Sequence, residues 1–215
     1  MLPIIIGIII SYFIGSIPTA YLFVRAFKGV DIRSIGSGNV GATNASRVLG
    51  KGLGGVVLLL DILKGFLAVW LLGGFLIAQG TNVPADVLRV LLGLACISGH
   101  NWTVFLNFKG GKGIATTLGV LLSLAAGSAG FRMVILLCLL TWIAVFVIRR
   151  IVSLASVVAA ITLPIYMVLF KVSPIFIFTG ILLTLFVLIR HKENIKRLLQ
   201  GKEQCITLGK SKTSA

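Results

Sequence analysis

Apolar residues in this chain fall in long runs, at about Pro3–Val24, Leu53–Ile77, Val87–Phe108, Ile114–Ala126, Phe131–Ile148, Ile151–Phe170 and Pro174–Ile189. Short breaks rich in Gly, Pro or charge separate them. Inside a bilayer every backbone polar group must be satisfied within the segment, so runs of this length read as membrane-crossing helices. The pattern predicts an all-α, polytopic integral membrane protein with seven transmembrane helices. The fourth run is the shortest. Its 13 residues rise only about 20 Å as a helix against about 30 Å of hydrocarbon, so it is expected to begin earlier, to tilt, or to sit beside thinned lipid. The first run lacks a basic leader and a small-residue cleavage site, and Arg25, Lys28 and Arg33 follow it closely, which reads as a span and not a signal peptide. With no internal repeat and no low-complexity linker, residues 1–215 form one integral membrane domain with a short basic cytoplasmic tail from about residue 190.

Composition sharpens this picture. Of 215 residues, 58% are hydrophobic and 12% charged, and the mean hydropathy is +1.10, which excludes a soluble globular protein. Twenty Lys and Arg against five Asp and Glu give +15. In a soluble chain that balance would suggest nucleic acid, but aromatic-rich basic stripes are absent and topology accounts for most of the charge. Placing the N-terminus outside and the C-terminus in the cytoplasm makes sixteen of the twenty basic residues cytoplasmic and leaves only Arg89, Arg132 and Lys171 outside, with Lys64 inside a helix. No nucleic-acid partner is needed. Cys96, Cys138 and Cys205 are odd in number and lack metal-ligand spacing, so they read as free thiols. No carboxylate constellation for a divalent metal exists among five acidic residues, and no cofactor is expected.

Chemistry is sought in three polar segments, because irregular backbone at a membrane is costly unless it lines a wet site. The first reads DIRSIGSGNVGATNASRVLGKG. Gly36, Gly38 and Gly41 permit close backbone approach, Ser37, Asn39, Thr43, Asn44 and Ser46 supply neutral donors, and Arg47 a guanidinium, a set suited to wrapping phosphate. The plainer alternative is a polar turn leading into a short interfacial helix capped by Asn44. The second segment contains Lys109, Gly110, Gly111, Lys112 and Gly113 just before the fourth run, where free helix N–H groups and two ammonium groups favour an anion. It is not a Walker A loop, and a tight reverse turn is its alternative. His100 and Asn101 lie near the end of the third run, where an ionisable group is costly and often functional, although a His there also serves as a simple interhelical hydrogen-bonding group. Asp61 and Lys64, three apart on one helix, are expected to pair. The third segment sets His191, Asn194 and Arg197 at helical spacing with Ile195, Leu198 and Leu199 on an apolar side, as in a basic interfacial helix; alternatively His191 and Asn194 turn inward, and Glu203 neutralises a neighbouring base. All three segments follow odd-numbered runs and so emerge on one side, which allows a single site.

GSGNVGATN at 36–44, GHNWTVFLNFKGGKG at 99–113 and RHKENIKRLLQGKE at 190–203, after an opening GSIPTAYL, closely resemble the PlsY-type glycerol-3-phosphate acyltransferases of bacteria. DILKG at 61–65 and VSLAS at 152–156 also fit. The resemblance implies transfer of a fatty acyl group from acyl-phosphate to the 1-hydroxyl of glycerol 3-phosphate, giving lysophosphatidate and phosphate in phospholipid synthesis, at the cytoplasmic face of a bacterial inner membrane. Acyl-CoA is then not the donor, in keeping with the lack of an HxxxxD box: Phe105 stands five residues after His100. Carried onto this chain, the resemblance makes Ser37, Arg47, Lys112, His191 and Asn194 candidate catalytic residues. Gly36, Gly38, Asn39, Thr43, Asn44, His100, Lys109, Gly110, Gly111, Gly113 and Glu203 become candidate substrate-binding residues. The partners expected are glycerol 3-phosphate, acyl-phosphate and membrane lipid; acyl-chain preference and oligomeric state are not encoded legibly. A small anion or phosphate transporter using the same loops is the alternative, against which stand the lack of an inverted repeat and of a second interrupted helix.

Overall fold

The computed structural model describes residues 1–206, and among them every regular element is helical. Ten α-helices follow one another: α1 Leu2–Ser16, α2 Thr19–Lys28, α3 Ala42–Leu49, α4 Lys51–Ala78, α5 Ala85–Asn101, α6 Ile114–Leu124, α7 Ala129–Arg149, α8 Val152–Leu169, α9 Pro174–Arg190 and α10 Lys192–Leu199. Single 3-10 turns occur at Ile32–Ser34, Val104–Leu106 and Ala125–Gly127. Five stretches are long and apolar enough to cross a membrane, and a sixth arises if α9 and α10, bent by 65° at His191, count as one broken span. Each of the seven apolar runs is helical, but three depart from expectation in ways the residues explain.

The first run breaks where Pro18 lacks an amide hydrogen and pushes Ile17 out of helical geometry (ψ 112°), then continues as α2 to Lys28. The Ile17 carbonyl at the break is taken by Lys64 Nζ at 2.9 Å. The third run stops being α-helical at Asn101: Trp102 leaves helical geometry (φ −132°, ψ 63°), and after a 3-10 turn the chain reverses through Asn107 and Phe108 at positive φ, 52° and 60°. The fourth is shorter still: α6 has 11 residues and rises about 16 Å. It is enclosed by protein on most sides, which is where a short helix is tolerated at membrane depth. A Cβ on Gly65 would overlap the Thr116 carbonyl and one on Gly119 the Ile62 carbonyl, so α4 and α6 meet backbone to backbone.

A proline lies inside α8 and its cost is met from outside. Pro164 cannot donate to the carbonyl of Ala160, and the single hydroxyl proton of Thr184 of α9 is shared between that oxygen, at 2.6 Å, and the Gly180 carbonyl of its own helix, at 2.8 Å. The main core gathers Val120, Leu121, Phe131, Val134, Leu163, Met167, Phe176 and Leu183 between α6 and α9. The α1–α5 contact is built on Gly15 and Gly99, each pressed against the other helix's backbone. By contrast α7 buries only Phe131, Val134 and Ile135, and its Leu136, Leu140, Ile143 and Val147 are exposed on the bundle's outer face.

Candidate active site

The first polar segment is tied down by one amide. Asn44 accepts from the Ser37 N–H at 2.9 Å and donates Nδ2 to the carbonyls of Ile32 at 3.2 Å and Ile35 at 3.1 Å. Its side chain is buried and fully engaged within the loop. It does not cap a helix: α3 begins at Ala42 with Gly41 at its N-cap, and Asn44 lies inside the first turn. The loop needs its glycines at Gly36 (φ 60°) and Gly38 (φ 68°), where a side chain would be strained. Ser37 and Arg47 remain exposed, and Asn39 and Thr43 half-buried. Asp31 accepts from the Arg33 amide at 2.8 Å and pairs with its guanidinium, fixing the loop's entrance.

The glycine turn of the second segment is folded over His100. The Gly111 N–H donates to the His100 carbonyl at 3.0 Å. A Cβ on Gly110 would overlap that carbonyl, and one on Gly111 would overlap His100 Nε2 and come within 2.6 Å of the Val40 carbonyl of the first segment. His100 thus packs beneath the turn, with Nδ1 3.7 Å from Asp61 Oδ1. The same oxygen accepts from Thr19 at 2.5 Å and pairs with Lys64 Nζ at 2.8 Å, the pairing expected of Asp61 and Lys64. Gly113, at φ 76°, delivers the chain into α6. The amide of the buried Asn101, next to Gly113, makes no hydrogen bond among the described residues.

The third segment closes over the second. Lys112 Nζ donates to Asn194 Oδ1, and Asn194 Nδ2 donates to Glu203 Oε1 at 2.5 Å. Glu203 also accepts from Ser153 at 2.8 Å and from Arg197 Nε at 2.7 Å. A carboxylate only accepts, so Glu203 dictates that the Asn194 amide present its oxygen to Lys112. His191, at the bend, is almost fully buried, and its Nδ1 lies 2.9 Å from the Val187 carbonyl, which makes Nδ1–H the donor and leaves Nε2 as acceptor. Arg190 reaches back to the turn, with Nε 3.0 Å from the Gly111 carbonyl and Nη2 2.9 Å from the Gly110 carbonyl.

Of the sequence-derived candidates, Lys112, Asn194, Glu203 and the three turn glycines form one connected group, with Val40 and Arg47 bringing the first segment against it. Burial pushes the Lys112 ammonium down to about 8; Glu203 opposes this, while Arg197, Arg190 and Arg47 add to it. Burial alone would raise Glu203, but hydrogen bonds from Asn194, Arg197 and Ser153 hold it below the usual carboxylate range. Asn44 and His100 lie behind the site, bracing the loop and the turn, and Lys109 is exposed. Sequence reasoning passed over Arg190 and Ser153, and noted Asn101 without giving it a role. Ser153 stood within VSLAS, and Asn101 beside His100, but an Arg ending an apolar run reads as a topology charge. The site therefore offers a cation at the N-terminal end of α6, whose first N–H groups have no hydrogen-bond partner among the described residues, an arrangement chemically suited to an anion.

Comparison with known proteins gives the same direction. The family model described as glycerol-3-phosphate acyltransferase matches residues 5–201. A glycerol-3-phosphate acyltransferase of Desulforudis audaxviator (strain MP104C) is 44% identical over 94% of this chain and 95% of its own. One from Synechococcus sp. (strain CC9902) is 46% identical over 90% of each. Two crystal structures of PlsY, an integral membrane glycerol 3-phosphate acyltransferase, superpose with TM-scores of 0.83 and 0.80 at 37% and 36% identity. The first, its glycerol 3-phosphate form, covers 95% of this chain and 96% of the solved one; the second, its lysophosphatidic acid form, covers 95% of both.

Proposed function

The chain belongs to the glycerol-3-phosphate acyltransferase family, and from that premise we propose that this integral membrane acyltransferase uses acyl-phosphate as its donor and acylates the 1-hydroxyl of glycerol 3-phosphate. The observation that carries this reading is the Lys112 ammonium, held by Asn194 and Glu203 at the start of α6. Both substrates bear phosphate, and this is where the fold concentrates cation and free N–H. The forms of the solved relative, one with glycerol 3-phosphate and one with lysophosphatidic acid, correspond to the acceptor and product of this reaction.

The acceptor oxygen bonds to the acyl carbon while the bond from that carbon to the phosphate oxygen breaks. The hydroxyl proton passes to a phosphate oxygen of the donor, whose second ionisation near pH 6 suits it to take the proton, and hydrogen phosphate leaves. Lys112, Arg47 and the amides opening α6 neutralise the phosphates and the oxyanion, and Ser37 and the Nε2 acceptor of His191 orient the acceptor. The active site faces the cytoplasm of a bacterial inner membrane. In this reading the chain crosses seven times with its N-terminus outside, which the meeting of the three polar segments supports.

Purified protein given labelled glycerol 3-phosphate tests the donor. Acyl-phosphate should yield lysophosphatidate, whereas acyl-CoA of equal chain length should yield none. Comparable rates with the thioester would overturn the reading, and uptake of label into vesicles without acylation would favour a transporter.

A further inference from the structure

Lys112 and Arg197 donate to side chains, whereas the hydrogen bonds of Arg190 point at backbone. Its Nε and Nη2 donate to consecutive carbonyls, Gly111 at 3.0 Å and Gly110 at 2.9 Å, so a single planar group spans two peptide units. The guanidinium lies over the Trp102 ring, 5.7 Å from its centroid, and Trp102 is in turn held edge-on by Phe186 of α9 at 5.4 Å. The guanidinium is thus held from both sides, by the two carbonyls and by the ring.

Its consequence follows from peptide geometry. In a trans peptide the carbonyl and the amide hydrogen point in opposite directions. Fixing the Gly110 carbonyl on Arg190 sends the Gly111 N–H the other way, and it is found on the His100 carbonyl at 3.0 Å. Fixing the Gly111 carbonyl likewise turns the Lys112 N–H away from Arg190. Three successive residues, Gly110, Gly111 and Lys112, would otherwise be free to rotate, since two have no Cβ.

We infer that Arg190 is a positioning residue for phosphate, acting without touching it: its fork on the two glycine carbonyls orients the Lys112 amide and the entry to α6 toward the anion. A lysine cannot replace it, because one ammonium on a flexible stem lacks the planar fork that bridges two carbonyls. This inference rests on the turn being the phosphate site.

The test reads competitive inhibition by inorganic phosphate, the KM and kcat for glycerol 3-phosphate, and thermal unfolding, in Arg190→Gln, Arg190→Lys, Arg190→Ala, Trp102→Leu and Lys112→Gln proteins. Arg190→Gln and Arg190→Lys should both raise the phosphate inhibition constant at least tenfold, with unfolding temperatures near that of the parent. Millimolar guanidinium should restore part of the loss in Arg190→Ala and none in Lys112→Gln. Trp102→Leu should shift the constant in the same direction by a smaller factor, and it serves if Arg190→Ala does not fold. Parent-like inhibition in Arg190→Lys would show that charge alone matters and overturn the inference. So would parent-like inhibition in every Arg190 variant while Lys112→Gln loses it. If Lys112→Gln itself binds phosphate normally, the phosphate reading of the turn falls first and the inference with it.

Discussion

Lys112 keeps its proton at a cost, and that cost is measurable. Burial pushes it down to about 8, so the free enzyme loses this charge as pH rises through that value. If, as proposed, phosphate binding requires the ammonium, kcat/KM should fall on an alkaline limb near 8, while the substrate phosphate should set an acid limb near 6. In Lys112→Arg, charged at any workable pH, the alkaline limb should vanish even if the rate is lower. A limb that stays near 8 in that variant would assign it to another group. The residues in this chain of contacts were legible to different degrees. Lys112, Asn194 and Glu203 stood in polar, glycine-rich or helical contexts whose spacing pointed to a site. Asn44 and His100 were visible as polar groups, but whether a polar side chain faces a ligand or its own loop is set by tertiary packing. Arg190 was hidden by its neighbours, since a basic residue closing an apolar run has a sufficient explanation in membrane orientation.

Helices here are interrupted where the residue chemistry demands it, and each interruption is repaired by a neighbour. The Ile17 carbonyl at the Pro18 break goes to Lys64, and the Ala160 carbonyl orphaned by Pro164 goes to Thr184. Thr184→Val should therefore leave a buried carbonyl bare and cost about 1 to 2 kcal/mol. Restoring the missing amide with Pro164→Ala should recover most of that loss, a coupling that a double-mutant cycle of unfolding in detergent detects. Equal losses from Thr184→Val with and without Pro164 would show the two to be independent. Helical runs were easy to read, because hydrocarbon forces hydrogen-bond closure on any apolar stretch. Their ends were not. The Asn107–Phe108 turn and the stop of α5 at Asn101 depend on contacts from Thr103 Oγ1 to the Ser16 carbonyl, 2.6 Å, and from Tyr12 to the Trp102 carbonyl, 2.7 Å, between residues far apart in the chain.

At the scale of the whole molecule, the end of α5 and the end of α9 are hydrogen-bonded through the glycine turn. Both ends then lie on one side, which asks for an even number of crossings between them and supports counting α6, short as it is, among α6 to α9. A reporter fused after Ala215 should be cytoplasmic and one at Asn82 exported. Cytoplasmic signal at both would overturn the seven-crossing arrangement. The bundle is also uneven in what it asks of its parts. Helix α6 is wedged against α4 with backbone touching backbone at Gly65 and Gly119, whereas α7 leans chiefly on α8 and turns Leu136, Leu140, Ile143 and Val147 outward. Lipid tails solvate those four positions and accept any oily side chain in place of another, while a methyl group added at Gly119 has nowhere to go. Random mutation should therefore erode the wording of α7 freely, provided its oiliness survives, and leave the small residues of α4 and α6 as fixed points through which distant descendants of this chain stay aligned.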